Sequence, residues 1–94
     1  MLTTEQTQLF ARARRTAPSS PKAAGGLCTE LADSLLTEGN ADQLPDYTLA
    51  HVGHLCLERA ADGYQPDVRD ILAEALLTEA QLQSFDVAEG TIND

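Results

Sequence analysis

Apolar residues recur along this chain at intervals of three and four positions, which is the spacing of an amphipathic helix. The clearest cases fall in residues 24–36, 49–60 and 68–77. No segment alternates apolar and polar residues for long enough to form a strand, and the helix formers Leu, Ala, Glu and Gln are abundant. The pattern predicts an all-α fold, a small irregular bundle of four to five short helices in one domain over residues 1–94.

The first predicted helix covers about residues 4–15. Thr3 is its expected N-cap, and Gln6 three positions later completes a capping box. Two prolines within residues 16–21 then interrupt the helical pattern. We therefore expect residues 1–20 to form a mobile N-terminal helix with a linker, which either packs back on its own chain or is exchanged between protomers.

The second predicted helix begins near Pro21 with Ser20 as its N-cap, because proline suits the first helical position. The pair Gly25 and Gly26 weakens this start, so a beginning nearer Leu27 is the alternative. Gly39 is predicted to end the helix, because glycine adopts the left-handed conformation that follows many helices.

The third predicted helix begins around Pro45 or Asp46 and ends at Gly63. It is the most apolar of the predicted helices, so we expect it at the centre of the bundle. Its predicted core face is the stripe Leu49, Val52, Gly53, Cys56 and Ala60.

The fourth predicted helix opens at Pro66. It either continues to about Phe85 or is followed by a fifth helix that Thr78 caps. Residues 88–94 contain little core material and are expected to fray.

Charge is divided unevenly along the chain. Residues 1–26 carry four cations and one acid, whereas residues 27–94 carry two cations and fourteen acids, for a net charge of −9. Direct nucleic-acid binding normally needs a basic surface, so it is not expected. The negative net charge either favours a protein partner with a basic surface or serves only to keep the chain soluble.

No segment of the chain matches a catalytic, nucleotide-binding or metal-binding motif, so we expect no enzyme activity and no cofactor or metal. His51 and His54 lie one turn apart on the third helix, with Tyr47 one turn earlier. Two histidines without further ligands do not make a structural zinc site. We interpret these three residues as part of a partner-binding surface.

The tripeptide Asp33-Ser34-Leu35 in a small, acidic, helical chain resembles the acyl carrier proteins. That family attaches phosphopantetheine to the Ser of an Asp-Ser-Leu motif, so the resemblance implies Ser34 as an attachment site. The family places this Ser at the start of a helix, whereas the apolar pattern here places Ser34 in the middle of one. The carrier is one alternative function, and a structural dimerisation module is another.

The acids suggest a function through electrostatic steering toward a basic partner, which could itself bind nucleic acid. Asp67, Asp70 and Glu74 are the candidate partner-binding acids. By analogy of size and charge, we expect a regulator or inhibitor of bacterial, phage or mobile-element type that occupies its partner's surface. A core of Leu and Ala on short helices also favours a homodimer. The candidate self-association residues are Leu36, Leu57, Leu77 and Phe10.

No apolar run in the sequence approaches the roughly 20 residues of a membrane span, and the start lacks the features of a signal peptide. We expect a cytoplasmic protein without a membrane partner. Cys28 and Cys56 lie in apolar helical contexts and are expected to stay reduced.

Overall fold

In the part of the chain that the structure describes, the fold, taken from a computed structural model, consists of four α-helices and one short 3-10 helix. The structure describes the backbone of residues 1–65 and 67–93 and the side chains of residues 1–65 and 67–84. No strand occurs in these ranges, so the predicted all-α class and small bundle are confirmed. In chain order the elements are α1 Thr4–Thr16, α2 Pro21–Glu38, the 3-10 helix Ala41–Gln43, α3 Asp46–Ala61 and α4 Val68–Asn93.

The predicted capping signals define the ends of α1 and α2. The Gln6 backbone N–H donates to Thr3 Oγ1 at 3.1 Å, and the Thr3 backbone N–H donates to Gln6 Oε1 at 3.0 Å. These two hydrogen bonds complete the capping box. Ser20 caps α2 directly ahead of Pro21, so the earlier of the two predicted starts is correct. Gly39 ends α2 in the left-handed conformation with φ 69°.

The core lies between α2 and α4, with α1 packed against both. These three helices, with one loop leucine, supply a single cluster of buried side chains. Because alanine is small, its frequency in this cluster lets the helix backbones approach closely. The members of the cluster are Leu9, Ala13, Cys28, Leu31, Ala32, Leu35, Leu44, Leu72, Ala73, Leu76 and Ala80.

The third helix is not the centre of the bundle, which corrects the prediction made for it. It packs mainly on α4 through a small cluster of Leu55 with Ile71 and Ala75. Gly53 and Ala60, which the predicted stripe placed in the core, are exposed. The buried face of α3 is instead rotated toward Leu55, because its apolar residues surround most of the helix and composition alone does not select one side.

The fourth helix runs without interruption from Val68 to Asn93, so the described backbone contains four α-helices rather than five. Thr78 does not cap a new helix; its hydroxyl donates to the Glu74 carbonyl one turn earlier at 3.0 Å. Pro66, the predicted opening residue, and the side chains of residues 85–94 lie outside the described residues. The predicted fraying of residues 88–94 stays a prediction.

Two glycines, one inside α2 and one directly after its last residue, give opposite expectations for substitution by alanine. A Cβ at Gly26 would meet nothing within 4 Å, and the position is in a helix interior. Gly26→Ala should therefore raise the free energy of unfolding by about 0.5–1 kcal/mol. Gly39→Ala should lower it by about 1 kcal/mol, because residue 39 has a positive φ. Urea unfolding of both variants checks this pair, and a destabilised Gly26→Ala would contradict the packing described for α2.

Candidate functional site

A cleft of about 270 Å³ lies where the end of α3 meets the start of α4. Asp67, Asp70 and Glu74, the three acids that the sequence singles out, all line it and are all exposed. Tyr64, in the loop between the two helices, lines the same cleft and is 67% exposed. The fold thus brings the three carboxylates together beside an exposed aromatic ring, and we call this surface the acidic cleft.

Two arginines hold the start of α4 in place. Arg59 Nη2 lies 2.5 Å from Glu74 Oε2 and joins α3 to α4. Arg69 Nη1 lies 3.6 Å from Asp33 Oδ1 on α2, and Arg69 Nη2 lies 3.7 Å from Asp70 Oδ1. All of these side chains are substantially exposed, so each pair contributes less than about 1 kcal/mol to stability. The pairs orient the acidic cleft more than they stabilise the fold.

A second concave surface of about 150 Å³ lies between the start of α3 and the middle of α4, where α1 also meets α4. We call it the apolar groove. Two of the four aromatic residues of the chain, Phe10 and Tyr47, line it. The polar side chains of Glu79 and Gln83, one turn apart on α4, line it as well. Its aliphatic lining is Leu2, Leu31, Leu44, Pro45 and Leu76.

The wall of the apolar groove formed by α1 is held by polar contacts to α4. The Arg14 guanidinium lies 5.6 Å from the centroid of the Phe10 ring and donates to Gln83 Oε1 at 3.0 Å. The Ser84 hydroxyl donates to the Arg14 carbonyl. Arg14 is therefore engaged within the chain, whereas Arg12 and Arg15 are exposed.

The buried side chain of Gln6 joins α1 to α2. It is 0% exposed, and its Oε1 accepts from Thr3 N at 3.0 Å and from Asn40 Nδ2 at 2.8 Å. Its Nε2 lies 3.1 Å from both Ser34 Oγ and Asn40 Oδ1. Every polar atom of the Gln6 amide therefore has a partner, which removes the cost of burying it.

Ser34, the carrier-type candidate, lies in the middle of α2 and is half-buried. Its hydroxyl accepts the bond from Gln6. A phosphopantetheine attached to Ser34 Oγ would have to pass between α1 and α2 to reach solvent. The position thus differs from the helix start that the resemblance to acyl carrier proteins implies.

The two histidines lie apart from the concave surfaces. His54 is exposed, with Nε2 3.6 Å from Glu58 Oε1, and His51 is half-buried. Of the three residues interpreted as a partner surface on α3, only Tyr47 lines the apolar groove. Within residues 1–65 and 67–84, no three His, Cys, Asp or Glu side chains are placed to hold a metal ion.

The candidate self-association residues fall into two groups. Phe10 and Leu77 are half-buried and pack against the core of their own chain. A Cβ at Gly25 of α2 would lie 3.7 Å from Leu77 Cδ2, so Leu77 contacts α2 rather than an outer surface. Leu36 and Leu57 are exposed, Leu57 by 73%. Homodimer formation stays a prediction, with Leu36 and Leu57 as its exposed members.

The two cysteines are both free. Cys28 is on α2 and is fully buried in the core of the bundle. This burial raises the pKa of its thiol to about 11. Because the thiolate is the nucleophile, Cys28 is an inert core residue at neutral pH. Cys56 is half-buried beside Leu55 and Ile71.

Sequence reasoning missed Tyr64 and Arg59 in the acidic cleft. Tyr64 follows Gly63, which has a φ of 86°, and this turn brings the ring toward the start of α4. A glycine followed directly by an aromatic residue between two predicted helices was the available sequence signal. Arg59 carried no such signal, because its partner Glu74 is fifteen positions away.

A scan against models of protein families, a search of curated proteins and a search of solved structures each found no match to this chain. Among the described residues, no helix combines the length and the apolar character that crossing a membrane requires.

Two glutamines on α1 test the importance of the buried amide. Gln6→Ala leaves the Thr3 N–H and the buried parts of Ser34 and Asn40 without partners, so it should lower the free energy of unfolding by about 2–4 kcal/mol. Gln8→Ala, on the exposed side of the same helix, should change it by less than about 0.5 kcal/mol. Urea unfolding measures both, and equal effects would show that the network does not hold α1.

Proposed function

We propose that this chain is a non-enzymatic regulator or inhibitor that binds a partner protein through the acidic cleft and occupies the partner's basic surface. The observation that carries the proposal is the convergence of Asp67, Asp70 and Glu74 with Tyr64 around one concave surface. Tyrosine is enriched at protein interfaces, and carboxylates around it select a partner by charge.

The overall charge supports a basic partner. Residues 27–94 carry fourteen acids and two cations, and both of those cations already form ion pairs within the chain. The excess negative charge therefore attracts a positively charged surface and speeds its approach. A basic surface that binds nucleic acid has the matching charge, so blocking such a surface is the mode of regulation we propose.

The same proposal places the chain in the cytoplasm of a bacterial, phage-infected or mobile-element-bearing cell. A reducing compartment would keep the free thiols of Cys28 and Cys56 reduced. Formation of a homodimer through Leu36 and Leu57 would add apolar burial, and neither residue lines the acidic cleft.

The test begins with isolation of the stoichiometric partner that the full chain retains from a lysate of its source cells at low salt. Association kinetics are then measured with the variant Asp67→Asn, Asp70→Asn and Glu74→Gln. The association rate should fall about fivefold or more, with a smaller change in the dissociation rate. It should also fall for the unmodified chain between 0.01 M and 0.15 M salt, because the Debye length shrinks from about 30 Å to about 8 Å.

A matched control carries the same change in net charge elsewhere. Glu30→Gln, Glu38→Gln and Asp42→Asn alter three exposed acids that do not line the acidic cleft. This control should keep its association rate within about twofold of the unmodified chain. Equal rates for the two triple variants would contradict the proposal. Mass spectrometry of the native chain that revealed phosphopantetheine on Ser34 would favour the carrier function instead.

A further inference from the structure

We propose that the apolar groove holds one leucine- or phenylalanine-sized side chain presented by a basic segment of the partner protein. The inference rests on the proposed function and deepens it, because it assigns a second contact to the same partner. The acidic cleft lies at the end of α3, and the apolar groove lies at the start of the same helix. The acidic cleft would select the partner by its charge, and the apolar groove would bind an anchoring side chain of that partner.

The size of the groove selects a single side chain as its occupant. Its volume of about 150 Å³ is half or less of the roughly 300–1,000 Å³ of ordinary small-molecule sites. A cavity of about this volume with Leu, Ile and Phe walls accommodates one benzene ring. Interfaces commonly place one aromatic or aliphatic anchor in such a pocket, with polar groups around it that exclude water.

The lining of the groove has the layout of an anchor pocket. Leu31, Leu44 and Leu76 are core residues, so the floor is fixed by the fold before anything binds. Tyr47 stands at the opening with 56% of its surface exposed. A ring that remains so exposed beside an apolar floor gains burial when a partner covers it.

The charges around the groove favour a basic segment. Glu79 lines the groove and forms no ion pair with any other residue in the described part of the chain. The cation that contacts the lining, Arg14, already donates to Gln83 and lies over Phe10. In the homodimer proposed above, a second copy of this chain would make contact at Leu36 and Leu57, neither of which lines the groove, so it is not the expected occupant.

The experiment titrates the full, isotope-labelled chain with a synthetic peptide and follows amide and methyl resonances by NMR. The peptide has seven residues, with Phe at the centre, Gly on either side and Lys at the four outer positions. It should shift the resonances of Leu31, Leu44 and Leu76. The same peptide with Ser in place of Phe should bind at least about fivefold more weakly, because it buries no apolar ring.

Two pairs of variants locate the binding. Tyr47→Ala should weaken binding of the Phe peptide about threefold or more, whereas Leu82→Ala, at an exposed residue that lines neither concave surface, should leave it within about 1.5-fold. Glu79→Gln should weaken it about twofold or more, whereas Glu30→Gln on α2 should not. Tyr47, Leu82 and Glu30 are exposed, and Glu79→Gln conserves the size of a half-buried side chain, so these variants keep the fold.

Several outcomes would overturn the anchor pocket. Equal binding of the Phe and Ser peptides, or no effect of Tyr47→Ala, would show that the groove holds no side chain. Equal binding of N-acetylphenylalaninamide would indicate a site for free small aromatic molecules. Shifts of the groove resonances on dilution without peptide would indicate a second copy. None of these depends on Asp67, Asp70 and Glu74, so the proposed function fails or survives separately.

Discussion

The arrangement of the bundle depends on one buried amide. A primary amide removed from water is costly unless all of its polar atoms are paired, and Gln6 meets this condition only where α1 rests on α2 beside Ser34 and Asn40. Apolar contacts alone tolerate sliding of one helix along another, whereas these bonds fix one register. That register buries Leu9 and Ala13 and places Phe10 at the apolar groove. The groove is therefore a consequence of how α1 docks.

The acidic cleft has a different physical origin. It forms because the loop after α3 turns at Gly63 and because the only cations of residues 27–94 connect the start of α4 to its neighbours. These exposed ion pairs add little stability, and they join two carboxylates of the acidic cleft, Asp70 and Glu74, to arginines of the same chain. Asp70 is exposed on α4, whose opposite side is part of the core, and the exposed Asp67 directly precedes this helix. The acids are thus held on a rigid element, which favours a specific surface.

Local signals in the sequence predicted most of the elements but not their packing. The caps at Thr3, Ser20 and Gly39 could be read because each acts within a few residues of itself. The position of α3 could not, since its leucines surround the helix and Leu57 is exposed while Leu55 is buried. At the candidate site the acids and Tyr47 were identified from composition and spacing. The distant partners of Gln6, 28 and 34 positions away, leave no trace in a single sequence.

The most direct test of the account is native-state hydrogen exchange of the backbone amides of α1. If the buried amide fixes α1 in the core of its own chain, the interior amides of α1 should exchange within about tenfold of those of α2, because both open only when the core opens. Exchange of the α1 amides at rates near those of an unstructured peptide, while α2 stays protected, would contradict the account. It would show that α1 is a loosely attached arm and that the apolar groove lacks a fixed wall.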